Sequence, residues 1–120
     1  MNVLHWHIVD SISFPFESAT FPSMSVEGAY SQSHVYTHGD IKALIQFAME
    51  RGVRVVPEFD TPGHVYRGWE SLGVLTRCYG ADGKPADTGP LNPTLNKTYE
   101  VITKLYAEIK EVRSHMDGAQ

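Results

Sequence analysis

The stretch Val35–His64, VYTHGDIKALIQFAMERGVRVVPEFDTPGH, decides the fold. Thr37-His38-Gly39-Asp40 has the form of a capping box, with Asp where Glu is usual, which would satisfy free N–H groups in a first helical turn. Ile41, Leu44, Ile45 and Ala48 then recur at three- and four-residue steps, the period of one buried helix stripe, until Gly52 ends the helix. These signals predict a helix over 38–51. Val53-Arg54-Val55-Val56-Pro57-Glu58-Phe59 follows directly, short and rich in β-branched residues, and reads as a strand.

Upstream, residues 2–9 (Asn-Val-Leu-His-Trp-His-Ile-Val) form another short apolar run with little alternation, as expected of a parallel strand covered on both faces. Downstream, Asn92-Pro93 can cap and open a helix, and Leu95, Tyr99, Ile102, Leu105 or Tyr106, Ile109 and Val112 continue it. The order is βαβα, two units of an α/β fold. Helix and second strand join tightly at Gly52, whereas the loops after the strands run over 11–36 and 60–91. Long loops in a compact domain are usually functional, and in a (β/α)8 barrel the loops that follow strands build the active-site face. Such a barrel needs about 250 residues, so two units are part of one.

Composition agrees with a packed domain and excludes some partners. The 120 residues are 42% hydrophobic and carry a formal net charge of −4 at pH 7, which offers no basic face to nucleic acid. No run approaches the roughly 20 apolar residues of a membrane span, and the first residues lack the order of a secretory signal. Cys78, the single cysteine, is either a half-buried free thiol or a half-cystine whose partner is absent.

Three polar clusters are candidates for chemistry. In His5-Trp6-His7-Ile8-Val9-Asp10 the two histidines share a strand face and could ligate zinc, as in a metal-dependent barrel hydrolase; hydrogen-bonded structural histidines are the alternative. On a regular strand Asp10 points to the opposite face, which counts against one metal collecting all three. In Glu58-Phe59-Asp60-Thr61-Pro62-Gly63-His64 the Pro-Gly turn lets His64 reach back over the sheet. Asp10 and His64 would then meet on neighbouring strands about 5 Å apart, either to orient the imidazole for a third group or to close the end of the barrel. The third candidate is a carboxylate pair from Asp10, Glu58 and Asp60, although Glu58 and Asp60 share strand parity with Arg54 and suit a buried ion pair equally. No serine elbow or phosphate-binding glycine loop occurs. Asn96-Lys97-Thr98 is a glycosylation sequon or a pair of helix-surface polar residues.

MNVLHWHIVDSISFPFES (1–18), Val35–His64 and GPLNPTLNKTYE (89–100) together resemble the β-N-acetylhexosaminidases of glycoside hydrolase family 20, most of all the animal lysosomal type. The resemblance runs over residues 1–112 and implies a partial (β/α)8 TIM barrel, its second and third β/α units, with 113–120 as a divergent tail. It implies hydrolysis of terminal N-acetyl-D-hexosamine residues with retention and no cofactor, the substrate's acetamido group acting as nucleophile. Asp10 and His64 match family positions that support the general acid, and His7 and Asp60 match structural ones. Cys78 resembles a half-cystine and Asn96 a glycosylated asparagine. The family's Gly-Gly-Asp-Glu strand, which carries the acid and the acetamido partner, is absent from these residues, so this chain alone is expected to be inactive. Ser11 also departs from relatives with a second acidic residue there. The implied ligands are N-acetylglucosaminide and N-acetylgalactosaminide glycans, the full-length assembly a dimer, and the location lysosomal or secreted. A truncated, inactive isoform that binds sugar without cleaving it is the non-enzyme alternative.

Overall fold

A computed structural model of the chain describes residues 1–86 and 89–114. Its frame is β1 (Val3–Val9), α1 (Ser23–Gly28), α2 (His38–Met49), β2 (Arg54–Phe59) and α3 (Asn96–Ser114). The two strands are parallel, in register from Val3 opposite Arg54 to His7 opposite Glu58, and α2 is the crossover between them. This is the mixed α/β arrangement expected from the sequence pattern. Residues 115–120, most of the expected divergent tail, lie outside the described residues.

α2 begins where its capping box places it: Thr37 Oγ1 accepts from the Asp40 N–H at 3.1 Å, and Asp40 Oδ2 accepts from the Thr37 N–H at 2.9 Å. It ends at Gly52, whose left-handed φ of 69° lets Val53 N–H reach back to the Ala48 carbonyl. α3 departs from expectation by starting at Asn96 rather than at Asn92-Pro93. Asn92 Oδ1 instead accepts from the Thr94 N–H and hydroxyl at 3.0 and 2.7 Å, closing a turn that spends the capping oxygen before the helix begins. The loop after β1 also proves structured, containing α1 and a 3₁₀ turn over Gln32–His34.

The core lies on the helix side of the sheet. Ile8 and Phe59 point into it and cluster with Phe14, Phe16, Trp69 and Leu105, all nearly or wholly buried. Phe14 and Phe16 come from the loop after β1 and stack edge-on or tilted against Phe59 and, for Phe14, Trp69. Each such side chain contributes roughly 1.5–3 kcal/mol of burial, so the core pins the loops as firmly as the strands. The two loops also interlock through Gly68 at φ 85°: a Cβ there would stand 2.4 Å from the Met24 carbonyl oxygen.

The other face of the sheet corrects the expectation of strands covered on both sides. Val3 and Val56 are 38% and 36% exposed, beside exposed His5 and His7. Two strands cannot close into a barrel, and the helix that packs on them is α2, against β2. Among the described residues no helix is long and apolar enough to cross a membrane.

Candidate functional site

The open sheet face carries the candidate site residues, and they are gathered by an irregularity. His7 pairs with Glu58 and Val9 with Phe59, so two residues of β1 are advanced against one of β2. This bulge turns the strand end and overturns the parity expected of a regular strand: Asp10 comes round to the histidine side, its Oδ2 3.6 Å from His7 Nε2. Asp10 Oδ1 accepts from the Ser11 N–H at 2.6 Å and lies 3.3 Å from His64 Nδ1.

His64 is delivered by the loop after β2. The Pro62 carbonyl accepts from the Leu91 N–H and the Ser11 carbonyl from the Arg67 N–H, which ties the turn to both neighbouring loops. The ring stands between two carboxylates, since Nδ1 is also 3.3 Å from Asp60 Oδ2. Asp60 therefore shares the imidazole with Asp10. Nε2 of His64 has no partner among the described residues, and the side chain is 66% exposed.

Lower on the same face, Glu58 Oε2 receives both histidines of the His-x-His pair, His5 through Nε2 and His7 through Nδ1 at 3.3 Å. This replaces the Arg54 ion pair anticipated for Glu58. Sequence parity missed the assignment because it requires the cross-strand register that sets His7 opposite Glu58.

The local electrostatics follow the geometry. The Ser11 N–H, aided by His7 and His64, holds the Asp10 carboxyl below its ordinary value against partial desolvation. Glu58 is likewise held low, first by His5 and then by His7. The same Glu58 contact, helped by Asp10, raises His7 above its ordinary value. Ligand atoms of His7, Glu58 and Asp60 lie within 4.8 Å of one another, close enough to accept a divalent cation. In the structure these groups face one another as imidazole–carboxylate pairs.

Cys78 is a free thiol among the described residues and lines a shallow cleft with Ser11, His64 and Pro90. Asn96, the first residue of α3, is exposed, while the sequon's Thr98 is buried with its hydroxyl donating to the Asn92 carbonyl. A cavity lined mainly by apolar side chains lies on the opposite side of the sheet, between Trp6, Ile41, Ile45 and Ile109, away from all these groups.

One polar cluster had no sequence signal. Glu108 of α3, 7% exposed, accepts from the Ser18 hydroxyl at 2.7 Å and from the Ala19 and Thr20 N–H groups at 2.6 and 3.3 Å. His38 Nε2 stands 3.0 Å from Oε1 without the alignment of a hydrogen bond. Burial works to raise the Glu108 carboxyl, but these donors overcome it and hold the group below its ordinary value. The knot fastens the loop after β1 to α3.

The family model for the glycosyl hydrolase family 20 catalytic domain matches residues 1–117. The chain is 54% identical over 112 residues to human beta-hexosaminidase subunit beta, covering 92% of this chain and 20% of that protein. It superposes on the chitobiase of Flavobacterium johnsoniae with a TM-score of 0.75 and 28% identity, over 93% of this chain and 17% of that one. The exo beta-N-acetylglucosaminidase of Vibrio harveyi, solved in complex with N-acetylglucosamine, gives 0.73 and 26%, over 93% and 21%. The chain thus spans about a fifth of the length of the relatives it matches. A match through both strands, both long helices and the loops between them places the chain in glycoside hydrolase family 20.

Proposed function

We propose that this chain is the segment of a β-N-acetylhexosaminidase catalytic (β/α)8 barrel that orients the enzyme's proton donor. It supplies the second and third β/α units, and the complete enzyme releases terminal N-acetyl-D-hexosamine residues from glycoconjugates with retention. The observation that carries this reading is His64, gripped at Nδ1 by Asp10 and Asp60 with Nε2 free on the exposed side. Carboxylates at Nδ1 keep the proton on that nitrogen and leave Nε2 as an acceptor. An acceptor in that place can orient a carboxylic acid from a neighbouring strand and bias it toward delivering its proton to a departing glycosidic oxygen. Asp10 and His64 are the site residues in this scheme, and His7 and Asp60 stand behind them.

The acid is not among these residues. No Gly-Gly-Asp-Glu motif occurs in the 120, and substrate-assisted hydrolysis needs that aspartate and glutamate. The purified 120-residue polypeptide is therefore expected to release no aglycone from a chromogenic N-acetylglucosaminide; measurable turnover by it would contradict the reading. A chimera of the human subunit carrying residues 1–112 of this chain in place of its own matching segment is expected to be active. The proposal extends to glycan substrates, a dimeric full-length enzyme, a lysosomal or secreted location, glycosylation at Asn96 and a disulfide from Cys78 to a residue beyond those given.

A second reading, a metal-dependent barrel hydrolase built on His5 and His7, draws on the close approach of His7, Glu58 and Asp60. Stoichiometric zinc in the active chimera, lost together with activity in His7→Ala, would favour it. Full activity after exhaustive chelation would remove it.

A further inference from the structure

The scheme leaves the part played by His7 unspecified and gives His5 none, yet the structure joins both to it. Glu58 Oε2 holds His7 by Nδ1, which directs His7 Nε2 at Asp10 Oδ2, 3.6 Å away. The other Asp10 oxygen, Oδ1, is already committed to the Ser11 N–H and His64. Glu58, His7, Asp10 and His64 thus form an unbroken alternation of carboxylate and imidazole from the sheet face to the strand end. Two further charged groups face this row: His5, which shares Glu58, and Asp60, which shares His64.

We propose that Glu58 and His7 are positioning residues for the Asp10–His64 pair, Glu58 fixing the His7 ring and His7 bracing the free oxygen of Asp10. The need for a brace follows from carboxylate geometry. The terminal torsion of an aspartate is broad, so contacts on one oxygen leave the group free to swing. An imidazole against the second oxygen limits that freedom. His7 Nε2 stands 3.6 Å from it, an ion-pair distance rather than a hydrogen bond, while Nδ1 of the same ring faces Glu58. The bulge makes the contact possible, because a regular strand would send Asp10 to the far face.

The inference rests on the hexosaminidase reading only for its catalytic consequence; the brace itself can be read in this chain without turnover. In the isotope-labelled 120-residue protein at one neutral pH, Glu58→Gln and His7→Gln are each expected to shift the Asp10 carboxyl carbon and the ring nitrogens of His64, and to leave the Asp40 carboxyl of the α2 capping box unmoved. Shifts confined to His5 and His7 would overturn the proposal. In the chimera, Glu58→Gln is expected to lower kcat about tenfold at unchanged KM, as when a partner that orients a functional imidazole is lost, and Glu58→Asp to restore part of it. Wild-type kcat in Glu58→Gln would overturn the brace, as would a loss confined to KM. A chimera inactive before any substitution breaks the hexosaminidase reading instead and leaves the carbon and nitrogen shifts to decide the brace alone.

Discussion

Two histidine–carboxylate clusters fasten the loop after β1, and they are built in opposite ways. Glu108, buried at 7% exposure, spends its oxygens on a hydroxyl and two backbone N–H groups, beside His38. Asp10, with its side chain 44% exposed, takes one backbone N–H and two imidazoles, and His64 keeps a ring nitrogen unpartnered among the described residues. A buried carboxylate whose oxygens are filled by a hydroxyl and backbone N–H groups holds a frame. One whose histidine neighbour turns a ring nitrogen to the exposed side is open to a further group. In our proposal the same pair of residue types is structural in one place and reactive in the other, and what separates the two is burial and the kind of donor on the carboxylate.

The comparison breaks if the two clusters respond alike to mutation. Glu108→Ala leaves a buried hydroxyl and two part-buried N–H groups without acceptors, and is expected to destabilise the fold by about 3 kcal/mol, read from urea unfolding. Gly68→Ala, in the interlock between the two loops, combines φ 85° with a Cβ pressed on the Met24 carbonyl and is expected to cost about 2 kcal/mol. Asp10→Asn sits in an open, solvent-screened pair, so its effect on unfolding should stay under about 1 kcal/mol. A loss at Asp10 equal to that at Glu108 would erase the distinction.

Much of this architecture is legible in local signals along the chain. The capping box, the Gly52 stop and the β-branched run at Val53–Phe59 each mark an element with ends close to those observed. What escapes such signals depends on partners distant in sequence. The bulge at the end of β1 is invisible to a period-two rule, because the slip is defined against β2. Asn92 carries the same signal for a helix cap and for a side-chain turn, and only the hydrogen bonds to Thr94 select the turn. The Glu108 knot joins residues 90 positions apart, and nothing in the spacing around Glu108 marks it. At the site, the approach of Asp10 and His64 follows from the strand ends and the Pro-Gly turn, whereas their link to a proton donor comes from family resemblance.

The two clusters also set a pH dependence. Glu108 and Asp10 are held below their ordinary values of 4.5 and 3.8, so each stabilises the fold fully above that value and the contribution fades as pH falls through the depressed one. His7 is raised above 6.5, so its contribution is complete below 6.5 and is lost as pH climbs through the raised value. Stability should therefore peak between 4.5 and 6.5. In His7→Gln the alkaline fall attributable to this group should disappear while the acid limb remains, a small effect read from thermal unfolding across pH.

In the proposed function His64 acts on a proton donor supplied by another strand. The direct measurement is kcat and KM for His64→Gln in the chimera, beside the unsubstituted chimera and with folding confirmed by an unchanged melting temperature. The account predicts a fall in kcat of about a hundredfold, the low end for disturbing general acid catalysis, with KM little changed. A kcat equal to that of the unsubstituted chimera would contradict it.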